Sequence, residues 1–367
     1  MSVHDDFGNE AIERLEWSDS KKDQTPQSKA RALTRRAALG GGAGALAAFM
    51  MSPAAQALGA SDASIFGSQK KYHFVFVNHV TTNPFFTPTI NGIQDACNLL
   101  GCSYQWTGSE TSNVGQMVTA FNAAITAGAD GIAVPLIDPT AFNAPTNNAL
   151  AKGIPVLSYN ADETGNNRLA YIGQDLFVSG QQMGMHIRSL VPSGEVALFI
   201  ATPGTANIQP RIDGAESVLK GTSTKYTVTA TGAALPMELS TIEAFWQGHT
   251  SYKGLFAVDG GSTQSVFQTI QKYNLRGKGI KGGGYDLTPI TQSLLAAGQG
   301  DFTIDQQPYL QGFLPTLELF LYHASDQLSG IADVDTGLKF LDKTTVVPYN
   351  KTKSRYEGTS TKAGVTG

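Results

Sequence analysis

The chain has 367 residues, of which 41% are hydrophobic and only 15% charged, with a formal net charge of −4. That balance supplies enough apolar material for real cores and excludes the basic footprint that nucleic acid or an anionic membrane surface would require. Polar surface has to come from Asn, Gln, Ser and Thr, side chains suited to neutral hydroxyl groups.

In chain order, residues 1–31 are polar and without period, a composition that predicts disorder. Arg35 and Arg36 then precede a Gly/Ala-rich apolar run from Ala37 to Met51, followed by Ala55-Gln56-Ala57. The run is shorter than the roughly 18–20 residues of a membrane span. An arginine pair, a weakly apolar segment and an A-x-A site predict a twin-arginine export signal over 1–57 and a mature domain in the periplasm or cell envelope. No cysteine follows the run, so lipid attachment is not supported.

From Tyr72 onward, β-type runs alternate with amphipathic segments. Strands are predicted at Tyr72–Val77, Ser103–Trp106, Gly131–Val134, Pro155–Tyr159 and Leu169–Ile172, with helices at Phe86–Leu100, Val114–Ala127 and Ala141–Ala151. The pattern restarts through a helix at Leu176–Leu190. It continues with strands Glu195–Ile200, Tyr226–Ala230, Leu255–Val258, Ile280–Tyr285 and Phe302–Ile304. The helices of this half are Ile208–Leu219, Leu239–Gly248, Thr263–Tyr273, Pro289–Ala297 and a long Leu310–His323.

Such βαβα alternation predicts an α/β fold of two Rossmann-like lobes, each a parallel sheet covered by helices on both faces. The helix Leu310–His323 is surplus to the second half and is free to return to the first, giving a multi-strand hinge with a cleft between the lobes. The division expected is 70–178 with 306–335 for the first lobe and 179–305 with 336–347 for the second. Residues from Lys343 are expected to fray, with 348–367 a flexible tail.

Cys97 and Cys102, the only cysteines, lie five apart where a helix turns into a strand. A disulfide is the expectation in an oxidising compartment; two reduced, buried thiols are the alternative. A metal or redox role has no support from this spacing, nor do the six histidines show a zinc motif. Gly277-Lys278-Gly279-Ile280-Lys281-Gly282 matches G-x-G-x-x-G but precedes a strand, so it does not build a phosphate cradle.

Ligands in open parallel sheets bind beyond the carboxyl ends of the strands. Asn83-Pro84-Phe85-Phe86 follows the first strand: Asn83 caps a helix or points its amide at a ligand, and Phe85 or Phe86 packs in the core or on the apolar face of a sugar. His79 lies just beyond the same strand, as a ligand contact or a structural histidine. Asn160 ends the fourth strand, facing the cleft or closing an Asx-turn. Asp259 and Asp286 each follow a buried strand, as helix caps or as anchors for vicinal hydroxyls. Gln306 ends the strand Phe302–Ile304. Of the residues opening the helix after Ala201-Thr202-Pro203-Gly204, Gln209 is the candidate to face the cleft, with Arg211 and Asp213 read as a local pair.

Taken in order, N-P-F-F at 83–86, Asn160, R-x-x-G at Arg211 and Gly214, G-Y-D ending in Asp286, and Thr303-Ile304-Asp305-Gln306-Gln307-Pro308 carry a resemblance. From about Lys71 to Asp342 the chain resembles the ribose-binding-protein-like family of type I periplasmic sugar-binding proteins, the solute receptors of ABC importers. The resemblance implies sugar contacts from Asn83, Phe85 or Phe86, Asn160, Asp259, Asp286 and Gln306, lobe closure about a hinge, and recognition by permease subunits. It implies no enzyme activity, cofactor or bound metal, and a monomer as the working unit.

Two departures bear on the ligand. Asn160-Ala161 stands where ribose binders show Asp-Arg, and a second family arginine, before the second lobe's first helix, is expected to be replaced by Gln209. An uncharged set of amides suits a linear polyol better than ribose. The stretch Ala96 to Trp106 is similar to actinobacterial receptors, some of which take xylitol or threitol. The expectation is therefore a receptor for a small neutral sugar or polyol. A sensory receptor with the same binding chemistry and an exported carbohydrate hydrolase are the alternatives.

Overall fold

A computed structural model describes residues 68–327 and 331–351; the arginine pair, the apolar run and the A-x-A site lie outside the described residues. The first sheet is built from β1 His73–Asn78, β2 Ser103–Gly108, β3 Gly131–Val134, β4 Val156–Tyr159, β5 Ala170–Gly173 and β11 Val334–Asp335. Its strand order is β11-β5-β4-β3-β1-β2, and every pairing is parallel.

The second sheet uses β6 Gly194–Ile200, β7 Thr224–Ala230, β8 Gly254–Ala257, β9 Lys281–Tyr285, β10 Phe302–Asp305 and β12 Lys339–Leu341. Its order is β12-β10-β9-β8-β6-β7, parallel throughout except for the antiparallel β10–β12 pair. The two sheets thus repeat one winding, with the chain reversing direction of travel beside β1 in one and beside β6 in the other. Strands β3, β4, β8 and β10 are buried at every position, as expected where helices cover both faces.

The helices are α1 Thr87–Leu100, α2 Val114–Thr126, α3 Asn143–Ala151, α4 Leu176–Leu190, α5 Gln209–Leu219, α6 Leu235–Gly248, α7 Gly260–Lys272, α8 Pro289–Ala296 and α9 Leu310–Ala324. Their starts are written locally. Asn113, Asp175, Asp259 and Thr288 each accept a hydrogen bond from the backbone three residues on, the N-cap arrangement that satisfies an otherwise orphaned N–H. The α4–α5 contact depends on glycine: a Cβ at Gly180 would collide with the backbone of Arg211, and one at Gly214 with that of Phe177.

Helix α9 packs against α1 rather than on the second sheet. The chain therefore passes between the two sheets three times, after β5, after β10 and between β11 and β12. Two of the crossing strands, β11 and β12, are two and three residues long and lack any readable alternation.

Two expectations are corrected. The segment from Lys343 does not fray as far as it is described: Val346 is fully buried in a core with Phe199 and Leu295, and Tyr349 donates its hydroxyl to Asp305 Oδ2 at 3.0 Å. Cys97 and Cys102 are free and buried. Gly101, at φ +70°, closes α1 so that its N–H and that of Cys102 both reach Cys97 O. This turn leaves the sulfurs in thiol hydrogen-bond contact, which raises the Cys97 pKa and lowers that of Cys102. Reductant is therefore expected to leave the melting temperature unchanged, and the denatured protein to titrate two thiols with a chromogenic disulfide reagent. A drop in melting temperature on reduction would restore the disulfide.

Candidate functional site

The carboxyl ends of β1, β4, β6, β8, β9 and β10 converge on one cavity of about 390 Å³, within the usual size range of small-molecule sites. His79, Asn83, Phe85, Phe86, Asn160, Asp259, Asp286 and Gln306 all line it. The lining also includes Thr202, Asn207, Arg211, Leu235, Glu238 and Gln264.

Asn83 does two jobs. Its Oδ1 accepts from Phe85 N at 2.9 Å, capping the short turn Pro84–Phe86, while its residue lines the cavity. Phe86 is buried and edge-on to both Phe85 and His79, with ring centroids 4.7 and 5.3 Å apart. Phe85 is the less buried of the two rings, so it is the one presented as an apolar face. Burial pushes His79 down to about 4, so it is neutral at physiological pH. Its Nε2 comes 3.5 Å from Asn207 Nδ2, which belongs to the loop ahead of α5, so β1 and the second sheet's loops meet across the cavity.

A run of amides and one carboxylate forms the floor. Asn160 Nδ2 donates to Gln311 Oε1 at 3.2 Å and lies 3.4 Å from Gln306 Oε1; Gln306 Nε2 donates to Asp286 Oδ1 at 2.7 Å. Asn160 and Asp286 both hold φ in the left-handed region, at +65° and +72°. Asn and Asp tolerate that conformation better than most residues, and it turns each side chain from the strand end toward the cavity. Burial raises the Asp286 carboxyl to about 6.

Asp259 is held differently. Oδ1 accepts from Ser262 N and Oδ2 from Ala201 N, both at 2.9 Å. Both oxygens are engaged by backbone amides, so Asp259 pins β8 to β6 and caps α7 while forming part of the wall. Gly260 and Gly261 follow it because a Cβ would press on the Asp286 carboxyl at the first and collide with the Glu238 carboxyl at the second.

One sequence expectation fails here. Gln209 does not line the cavity; its Oε1 accepts from Gly204 N at 2.9 Å and its Nε2 donates to Asp213 Oδ1 at 2.8 Å. The side chain facing the cavity is Arg211, two residues on, 2% exposed. Its Nη1 donates to Val258 O at 2.9 Å and its guanidinium lies 4.1 Å from the Tyr285 ring centroid. Residues two apart on a helix point in nearly opposite directions, so the Arg211–Asp213 pair and the Gln209 contact exchange places. A guanidinium is therefore present in the wall.

Glu238 was not singled out from sequence because the helix was expected to start at Leu239. Instead α6 starts at Leu235 with Pro236 in its first turn, a position where proline costs nothing. The Leu-Pro-x-Glu order, proline then an acidic residue in a first turn, is the signal that would have found it. Among the described residues, three buried side-chain atoms in the cavity's lining residues have no hydrogen-bond partner: His79 Nδ1, Arg211 Nε and Glu238 Oε2.

Comparison with known proteins agrees with this architecture. Residues 74–320 match the model of the periplasmic binding protein domain. The xylose/arabinose-binding protein XylF of Sulfolobus acidocaldarius is 54% identical over 305 residues, covering 79% of this chain and 75% of that protein. A solute-binding protein of an ABC transporter from Burkholderia graminis, solved with D-arabinose, superposes with a TM-score of 0.71 at 24% identity, covering 79% of this chain and 99% of its own. A carbohydrate transporter protein from Acidothermus cellulolyticus, solved with myo-inositol, gives 0.68 at 25% identity, covering 77% and 98%. With two wound sheets, three crossings and a cavity at the strand ends, the chain belongs to the periplasmic binding protein family and has its type I fold.

Proposed function

We propose that this protein is the sugar receptor of an ABC importer, exported by the twin-arginine route, and that it captures a neutral pentose as a monomer and hands it to membrane permease subunits. The observation carrying this reading is the cavity wall itself. The Phe85 ring stands with the amides of Asn160 and Gln306, the Asp286 carboxylate and the Arg211 guanidinium around one small volume. Rings pack on the C–H face of a sugar, while amides and carboxylates bind its hydroxyls. The relative at 54% identity is named for xylose and arabinose, which favours an aldopentose. Catalysis is disfavoured because both Asp259 oxygens are tied to backbone N–H groups.

A linear polyol such as xylitol is the second reading. Asn160-Ala161, an uncharged pair at the end of β4, supports it. A thermal-shift panel of D-xylose, L-arabinose, D-ribose, xylitol and myo-inositol tests both. At 100-fold over its dissociation constant, a true ligand adds about 2.7 kcal/mol of stability. The expected result is a rise with xylose or arabinose. A rise with xylitol alone would favour the polyol, and silence across the panel would overturn the sugar reading.

A further inference from the structure

On the sugar-receptor reading, we propose that Gln311 is a positioning residue that sets which way the Asn160 amide faces. Asn160 then meets the pentose through Oδ1, as an acceptor, and takes a hydrogen bond from a sugar hydroxyl. Gln311 sits in the first turn of α9, is fully buried and stands behind the cavity rather than in its lining. Its Nε2 donates to Gln306 O at 3.0 Å and lies 3.2 Å from Gln306 Oε1 and 3.3 Å from Thr336 Oγ1. Its Oε1 accepts from Asn160 Nδ2 at 3.2 Å.

The neighbours decide the order of donors and acceptors. Gln306 O is a backbone carbonyl and only accepts. Thr336 Oγ1 gives its proton to that same carbonyl, at 2.8 Å, so toward Gln311 it too accepts. Gln306 Nε2 donates to Asp286 Oδ1 at 2.7 Å, which leaves Gln306 Oε1 as an acceptor on the Gln311 side. An oxygen of Gln311 in this place would face three acceptors, so Nε2 occupies it and Oε1 turns to Asn160. There Asn160 Nδ2 faces two acceptors, Gln311 Oε1 and Gln306 Oε1, at 3.2 and 3.4 Å. Turning the Asn160 amide over would set oxygen against oxygen at both, a costly loss of buried hydrogen bonds. The backbone of Asn160 is held as well: its N–H donates to Ile172 O at 3.1 Å and its carbonyl accepts from Tyr171 Oη at 3.2 Å. Oδ1, the opposite corner of the amide, takes no hydrogen bond from the protein among the described residues, and Asn160 lines the cavity.

Isothermal titration at pH 7.5 with the aldopentose that raises the melting temperature most, and with its deoxyfluoro analogues, tests this. Fluorine replaces a hydroxyl at similar size but cannot donate, and a site built around a donated hydrogen bond rejects such an analogue. One analogue is expected to bind wild type about tenfold or more weakly than the parent sugar, and to bind Asn160→Gly as well as the parent does. Glycine tolerates φ +65°, so that variant removes the amide without straining the chain. Gln311→Met keeps much of the side-chain volume without a strong donor or acceptor. It should bind the parent sugar about tenfold more weakly than wild type. Made on Asn160→Gly, it should cost only about threefold or less, the coupling of residues that share one hydrogen-bond network. The same factor in both backgrounds would assign the loss to packing and overturn the positioning role. If Gln311→Met does not fold, the analogues on wild type and Asn160→Gly suffice: no analogue with this Asn160-dependent loss would overturn the assignment while leaving the sugar reading intact. Absence of binding by the wild type to every sugar would overturn both.

Discussion

Asp286→Ala is expected to weaken sugar binding by about 1.5–3 kcal/mol, roughly 10- to 150-fold in dissociation constant, the loss typical of hydrogen bonds to a charged group. Asp286 lines the cavity with only one oxygen engaged inside the protein, Oδ1, which accepts from Gln306 Nε2 at 2.7 Å. Its backbone is clamped to β10 by its N–H to Ile304 O at 2.9 Å and by Thr303 Oγ1 donating to its carbonyl at 2.8 Å. Losing the carboxylate removes a ligand acceptor and frees the Gln306 amide. Asp286→Asn separates these effects, because asparagine tolerates φ +72° and keeps one acceptor. It should recover part of the affinity.

Stability should respond in the opposite sense. Burial raises the folded-state pKa of Asp286 from 3.8 to about 6. The unfolded state therefore gives up its proton first, and ionisation of this group costs folding stability as pH rises through that interval. Asp286→Asn should remove that cost, so the variant's melting temperature near pH 7 should equal or exceed that of wild type. Near wild-type affinity in both variants would take Asp286 out of the site.

Arg211→Met should reduce folding stability at pH 7 by about 3 kcal/mol, the scale for stranding buried charge without its counter-ion. Among the described residues, Arg211 is the only lysine or arginine lining the cavity, which also holds Asp259 and Asp286. Its positive charge favours the ionised form of both carboxyls. Methionine keeps much of the volume against Tyr285 but loses the charge and the hydrogen bond to Val258 O.

The pH dependence identifies the cause. Attraction between Arg211 and Asp286 exists only while the carboxylate is ionised, so the deficit of the variant should shrink as pH falls below about 6. Denaturant unfolding at pH 7.5 and 5 measures this directly. An equal deficit at both values would assign the loss to packing. No deficit at either would show that these carboxylates are solvated.

The alternation of buried strands and amphipathic helices, and with it two parallel sheets, is written in the local pattern of residues. That pattern also determines which residues follow a strand end. Asn160, Asp259, Asp286 and Gln306 were legible for that reason: in a parallel sheet every strand's carboxyl end lies on one side, so position in the strand already places the side chain near the cleft. Asn83 was legible as a cap, and the cap and the cavity position proved to be compatible.

The choice between neighbours on a helix came from packing. Gln209 and Arg211 are both polar and two residues apart, and nothing local says which one faces inward. The close approach of α4 to α5 through Gly180 and Gly214 settles the rotation of α5, and that rotation buries Arg211 and sends Gln209 to Asp213. Glu238 depended on α6 starting before Pro236. The free state of Cys97 and Cys102 depended on how Gly101 turns the chain. The burial of Val346 depended on a cold spot of local pattern meeting a core built by remote segments. Each is set by long-range packing that no local period records.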